Sequence, residues 1–253
     1  MKKDTSWGKV ADRYDEVVSD ADSYQKKIIL PNILRLVLPR NGLRVLDLAC
    51  GQGFFSHEIA KAGAEVVGVD ISPELVAKAK KGQGNFLSAV ATNLSVLGDR
   101  KFDVAICVLA IQNIEDISKT FKEVARVLEK NGKFIIVLNH PAFRVPKKSS
   151  WGFDDSAKVE YRRVDEYLSE SRAEIDMNPA AEGKGEKTIS FHRPLQVYSK
   201  TLANASFSIS RIEEWTSHKQ SEKGPRQIAE NKARKEIPLF MCLECVKISL
   251  NSI

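Results

Sequence analysis

The stretch Val45-Leu46-Asp47-Leu48-Ala49-Cys50-Gly51-Gln52-Gly53-Phe54 restricts the fold of this chain more than any other. An apolar run with branched residues breaks into a glycine turn, and a helical segment from Phe54 to Ala62 opens behind it until Gly63 stops it. Strand, loop and helix in that order predict a parallel α/β unit whose backbone N–H groups face a ligand at the helix start. A second apolar run, Val66-Val67-Gly68-Val69, ends in Asp70. That predicts a carboxylate at the tip of the next strand, where it can accept both hydroxyls of a ribose.

The glycine spacing separates two adenosine-bearing cofactors. A dinucleotide fold needs G-x-G-x-x-G, with a third glycine for close helix–strand packing and the pyrophosphate on the helix start. Here Ser56 occupies the third-glycine position counted from Gly51, and Asp47 puts a negative charge inside the turn motif. That charge opposes a pyrophosphate but suits a ligand carrying an ammonium and a sulfonium. Asp47 and Asp70 together favour S-adenosylmethionine over NAD.

Alternation along the chain predicts a doubly wound sheet. Strand-like runs at Arg44–Ala49, Glu65–Val69, Asn85–Ala89, Asp103–Leu109 and Lys133–Leu138 alternate with helical stretches. Ile117, Phe121, Val124, Ala125 and Leu128 make one helical face. Ser72 followed by Pro73 predicts an N-cap with proline at the first helical position. A leading helix is expected from about Tyr24 to Leu38, kinked or restarted by Pro31. Closing strands are expected at Phe207–Trp215 and Leu239–Ile248, after a helix at about Leu195–Ala205.

The run Asp47 to Gly53 resembles motif I of class I S-adenosylmethionine-dependent methyltransferases, and Asp70-Ile71-Ser72-Pro73-Glu74-Leu75 resembles the family's acidic ribose position and following helix start. Lys101-Phe102-Asp103-Val104-Ala105-Ile106-Cys107 is similar to its fourth strand, and Val124-Ala125-Arg126-Val127-Leu128-Glu129-Lys130-Asn131-Gly132-Lys133 to the turn before its fifth. Trp7 to Asp15 is similar to the lead of the small-molecule, quinone-biosynthesis-like branch with a type 11 methyltransferase domain. The resemblance covers Trp7 to Leu138. It implies an α/β, Rossmann-like, seven-stranded mixed sheet with the last strand antiparallel, and S-adenosyl-L-methionine as cofactor. It further implies that Tyr14 covers the cofactor, that Asp47, Ala49, Gly51 and Gly53 form the methionine-side loop, that Asp70 with Ile71 holds the ribose, and that Gln112 lies near the transferred methyl. After the third strand the family commonly carries an acid beside the adenine amino group. This chain has Val90 and Ala91 there, so the adenine is expected to rest on backbone and apolar contacts.

Beyond Leu138 the texture changes, becoming richer in aromatic and basic residues. The expected organisation is a helical lead over 1–40, a cofactor-binding core over 41–138, a small β-rich cap over 139–193 inserted after the fifth strand, and completion of the sheet over 194–253. Val159 to Tyr167 reads as an exposed strand, and Ala180–Lys187, with Gly183 and Gly185, as a hairpin tip. Such a cap would close over the carboxyl edge of the sheet, where ligands bind in open α/β folds.

A sulfonium methyl donor needs chiefly an aligned acceptor and the exclusion of water. A hydroxyl acceptor also gains from a base. His140, directly after the fifth strand, and His192, returning from the cap, are the candidate catalytic residues; the plainer reading of His140 is a loop histidine capping backbone groups. His57 reads as a solvated helix residue and His218 as part of a charged surface. Arg144, Arg163 and Arg193, with Trp151 and Tyr161, are candidate contacts to the acceptor, because a guanidinium holds a carboxylate or phosphate in two parallel bonds. Alternation sends Arg162 and Arg163 to opposite faces, and cap aromatics also serve as plain core.

The net charge of +6 raises nucleic acid as a partner. Yet the densest basic stretch, His218 to Lys235, is interleaved with Glu222 and Glu230 and has no aromatics to stack bases. A solvated helix beside the last strand is the expected reading, and a small-molecule methyl acceptor is preferred to nucleic acid. Cys242 and Cys245 would face opposite sides of a strand, and a lone C-x-x-C is a weak metal signal, so no metal is expected. No apolar run approaches the ~20 residues of a membrane span, and the polar start makes the cytoplasm the expected compartment. The reading is therefore a methyltransferase acting on an O, N or C atom of a small molecule. Two rivals stay open: methylation of RNA or protein, whose binding would weaken steeply with salt, and a non-catalytic adenosyl-binding regulator. Oligomeric state is not legible.

Overall fold

The structure, a computed structural model, describes residues 20–176 and 187–248. Residues 1–19 of the expected lead, with Tyr14, and 180–186 of the expected hairpin tip, with Gly183 and Gly185, lie outside the described residues. In chain order the first elements are α1 (Leu30–Val37), β1 (Arg44–Leu48), α2 (Phe54–Lys61), β2 (Glu65–Asp70), α3 (Pro73–Ala79) and β3 (Asn85–Ser88). They continue with β4 (Phe102–Val108), a 3-10 turn (Ile111–Asn113), α4 (Ile117–Val127) and β5 (Leu128–Asn139). Four shorter strands follow, β6 (Ser149–Asp154), β7 (Val159–Val164), β8 (Ser171–Asp176) and β9 (Lys187–His192). The last elements are α5 (Leu195–Asn204), β10 (Phe207–Trp215), α6 (Gln227–Glu236) and β11 (Phe240–Lys247).

Seven strands pair in the order β10-β11-β5-β4-β1-β2-β3. Neighbours from β3 to β5 run parallel, and β11 runs antiparallel to both β5 and β10. This is the expected doubly wound mixed sheet. Its order turns back at β1, the topological switch point beside β4 where such folds open a ligand crevice.

Parallel strands buried on both faces read as continuous apolar runs. Strand alternation then sends Leu46 and Leu48 to a core with Phe121, Phe134, Tyr198 and Leu243. Val45, Ile106 and Val137 go to the opposite core with Ile33 and Ile59. Each fully buried Leu, Ile or Phe contributes roughly 1.5–3 kcal/mol. Cys245 joins the first core and Cys242 the second, so the two do face opposite sides of β11.

Local signals act as their chemistry requires. The Ser72 hydroxyl accepts from the Leu75 N–H at 3.2 Å, capping α3 with Pro73 in its first turn. Before Pro31 the chain widens into a π-turn, Gln25–Ile29, and the regular helix starts at Leu30, because proline has no N–H to continue the ladder. At the turn before β5 the strand begins immediately after α4, and Asn131 takes φ +61°.

Cap strands pair as two separate hairpins, β6–β7 and β8–β9. On the first, the Tyr161 ring lies over Gly152, directly opposite in register, where a Cβ would meet the ring at 2.5 Å. Helix α6 packs against β7 of that hairpin. The expectation that it lies beside the last strand is corrected, with the Arg226 guanidinium 4.4 Å over the Phe153 ring as one link.

Candidate functional site

β1 stops because Ala49 takes a left-handed φ of +57°, and Gly51 and Gly53 follow at +56° and +85°. Three such residues in close succession fold the chain back on itself, with the Gly53 N–H donating to Cys50 O at 2.9 Å. At the tip of β4, Leu109 also takes φ +55°, held by its N–H to Val137 O at 2.7 Å. Left-handed conformations at Ala and Leu are costly, and both stand on the rim of one crevice.

That crevice has a volume of about 140 Å³. Asp47, Ala49, Gly51, Asp70 and Ile71 line it, as does Asn113 of the 3-10 turn. Phe54, Leu75, Leu109 and Ile114 are among its apolar walls. Asp70 is 7% exposed. Its carboxylate accepts from Gly51 N–H and from Ser72 N–H, each at 2.9 Å, so each oxygen keeps a lone pair for a further donor. Asp47 is 2% exposed and accepts from the Ser56 hydroxyl at 2.6 Å. Burial pushes its carboxyl up to about 7, and the nearby Asp70 adds to this. Burial likewise raises Asp70 against the pull of its backbone donors. Ser56, noted in the sequence only for not being glycine, is thus the side chain that orients Asp47.

The donor set fits S-adenosylmethionine. Two buried carboxylates with no basic side chain among their described partners suit a ligand with a ribose diol, an ammonium and a sulfonium. The apolar walls suit an adenine. Gly53, which caps α2, leaves the turn compact: a Cβ there would sit 3.1 Å from the Phe86 ring.

Other expected positions fall elsewhere. Val90 is 40% exposed and bridges back to Asn93, and neither it nor Ala91 lines the crevice; Ala91 packs against the core instead. Gln112 faces a second, smaller cavity on the other side of the 3-10 turn. Arg144, His192 and Arg193 line that cavity with Tyr198. His140 does not, because both its ring nitrogens are engaged: Nδ1 accepts the Ala142 N–H at 3.2 Å, so Nε2 donates to Glu214 at 2.6 Å. Burial holds its pKa below the usual histidine value despite that glutamate. It is the capping loop histidine of the plainer reading. His192 meets Tyr167 O at 2.8 Å through Nε2. His57 is half-buried rather than solvated, bonded to Ala79 O at 2.9 Å and set edge-on against Phe86.

Arg162 donates to Phe143 O and to the Ser149 hydroxyl, each at 2.8 Å, and lies over Trp151. Arg163 pairs with Asp165 at 2.9 Å. Trp151, Tyr161 and Arg163 are exposed on the β6–β7 hairpin and line neither cavity. The second hairpin does reach the carboxyl edge: Asn113 donates to Ile189 O at 2.8 Å, and Arg193 donates to Ile114 O and Glu115 O at 3.0 and 2.6 Å. Among the described residues no helix is long and apolar enough to cross a membrane.

Comparison with known proteins agrees with this geometry. Residues 46–136 match the family model described as a methyltransferase domain. A ubiquinone biosynthesis O-methyltransferase of Xanthomonas oryzae is 32% identical over 132 residues, which is 47% of this chain and 55% of that protein. The chain thus spans about half the length of the ubiquinone-biosynthesis relatives it matches first. A Bacillus subtilis protein named as a methyltransferase, YqeM, is 29% identical over 79% of this chain and 85% of its own. An S-adenosylmethionine-dependent methyltransferase from Mesorhizobium loti superposes with a TM-score of 0.65 at 26% identity, covering 85% of this chain and 96% of that one. Sheet order and these likenesses together show a methyltransferase domain over residues 46–136, set in the α/β fold of class I S-adenosylmethionine-dependent methyltransferases.

Proposed function

We propose that this chain transfers the methyl group of S-adenosylmethionine to an oxygen, nitrogen or carbon atom of a small molecule by in-line displacement. The observation that carries the reading is the pair Asp47 and Asp70, buried in one crevice that no Lys or Arg lines. Two like charges under burial are costly, and a cationic ligand relieves that cost.

Bound there, the cofactor supplies an electrophilic methyl on a sulfonium, whose C–S electron pair leaves with sulfur as the acceptor's lone pair forms the new bond. The chain's residues then have three tasks. Asp70 holds the ribose hydroxyls, with Gly51 and Ser72 N–H groups fixing its orientation. Asp47, steadied by Ser56, stabilises the ligand's positive end. The 3-10 turn carrying Gln112 and Asn113 walls the crevice towards the acceptor, and the cap over 139–193 excludes water. Holding the acceptor in line supplies the rate gain that alignment alone can give. His192 and Arg193 act in this reading on the acceptor, not the cofactor.

The small-molecule class draws its support from the quinone-biosynthesis relatives and from the basic helix α6 being packed on the cap hairpin. Calorimetry with S-adenosylmethionine, S-adenosylhomocysteine and NAD tests the crevice: the first two should bind and NAD should not. A labelled methyl donor offered with a small-molecule panel and bulk RNA then tests the acceptor class. Label entering only RNA would overturn the small-molecule reading, and failure to bind either adenosyl ligand would overturn the whole.

A further inference from the structure

We propose that the small polar cavity between the 3-10 turn, the end of β5 and the β9–α5 corner binds an anionic oxygen group of the methyl acceptor, a carboxylate or a phosphate, with Arg193 and Arg144 as its donors. The proposal rests on the methyl-transfer reading above and adds the acceptor's charge class to it.

Two orphaned groups carry it. Arg193 is 6% exposed, and its Nη1 is buried with no hydrogen-bond partner. Gln112 Oε1, on the same cavity, is buried and unpartnered as well, while its Nε2 donates to Leu109 O at 2.7 Å. More than nine in ten buried polar groups find a partner in native proteins, so two orphans on one cavity point to a guest. The volume, about 30 Å³, admits a water or the oxygen end of a small anionic group and not a whole substrate.

Charge decides between those guests. Arg193 is fixed by Nη2 bonds to Ile114 O and Glu115 O and by the Phe191 ring 5.0 Å beneath its guanidinium, so Nη1 is preorganised. Arg144 makes no side-chain hydrogen bond or ion pair among the described residues, and Arg162 beside it adds like charge. No Asp or Glu lines the cavity, and the acid that meets Arg193, Glu170, is itself exposed and 4.0 Å from Nε. Two guanidinium groups on one cavity, with no carboxylate lining it and only the exposed Glu170 at the outer edge of Arg193, form an anion site, since charge-assisted bonds to carboxylate or phosphate are the strong ones. Gln112 Oε1 then takes a hydrogen bond from a hydroxyl or amine next to the anionic group. Because Gln112 and Asn113 share the 3-10 turn, the wall of this cavity is also the wall of the cofactor crevice.

Benzoate, phenyl phosphate and the neutral isostere benzamide would be titrated into the full-length protein saturated with S-adenosylhomocysteine, following the Gln112 amide and arginine Nε–H resonances by NMR. Both anions should give saturable shifts at Gln112 and Arg193, with benzamide at least about tenfold weaker. Arg144→Gln should weaken the anions about tenfold and leave benzamide and S-adenosylhomocysteine unchanged. Arg193 is left intact because its Nη2 bonds hold the turn; Gln112→Leu serves as the second variant and should weaken a hydroxylated benzoate more than benzoate itself. Equal binding of benzamide, or no saturable shift at Gln112 while S-adenosylhomocysteine binds, would show a cavity for water only and overturn the proposal. No binding of S-adenosylhomocysteine would instead overturn the underlying reading, and this one with it.

Discussion

The crevice at the switch point and the two hairpins β6–β7 and β8–β9 solve opposite problems. In the crevice, burial isolates charge: Asp47 and Asp70 lie within the sheet edge with only a hydroxyl and backbone N–H groups for company. Across β6 and β7, polar groups are closed off locally, Arg162 onto Phe143 O and Ser149, Arg163 onto Asp165. Unsatisfied electrostatics at the switch point, set beside satisfied electrostatics in the first hairpin, separate a place built to receive a ligand from a place built to hold shape. The cavity under Arg193 is the exception within the cap, and its orphaned atoms give it away.

If that contrast is right, neutralising Asp47 should have the largest effect. A carboxyl whose folded pKa is raised to about 7 holds a proton that the unfolded chain, near 3.8, has released. The stability it gives is fully present below about pH 4 and is lost as pH rises towards 7, so the ligand-free protein carries a cost of up to about 4 kcal/mol above that. Asp47→Asn should therefore stabilise the ligand-free protein at pH 8, flatten its pH dependence between 5 and 8 in urea unfolding, and weaken the cofactor. An unchanged slope would place Asp47 among satisfied groups and break the comparison.

Asp70→Ala should come next, with S-adenosylhomocysteine affinity lower by about a hundredfold in calorimetry, the worth of two charge-assisted hydrogen bonds at the low end of their range. His140→Ala tests the other side of the comparison. It removes a partner from the Ala142 N–H and from Glu214, and should cost about 2 kcal/mol of stability in denaturant titration while leaving cofactor affinity intact. A large fall in methyl transfer without loss of stability would return it to the chemistry. Smallest should be Trp151→Ala. The ring is 41% exposed and stacks only under Arg162, so thermal unfolding should register less than about 1 kcal/mol.

The sheet was legible for a physical reason. Parallel strands buried on both faces must be apolar along their length, so β1, β2 and β4 stand out as runs, while Ser72-Pro73 and Gly63 announce helix boundaries through their own backbone chemistry. Asp47 and Asp70 were legible because acids at the ends of apolar strands have few structural uses. The cap was harder. Its hairpins are half-exposed on both faces, alternation there does not say which strand pairs with which, and Trp151 and Tyr161 looked like walls of a site that they do not line.

The residues alone determine the order of elements, the switch point and the two acids that line its crevice, because these depend on local propensity and on periodicity along one strand. Which atoms are left without partners is decided only by the tertiary structure. Ser56 turning to Asp47, both nitrogens of His140 being engaged, and Gln112 and Arg193 each keeping one buried atom unpaired are outcomes of packing between segments as far apart as β4 and β9. A hydrogen bond needs both partners within about 3 Å and in line, and that distance exists only once the chain has folded.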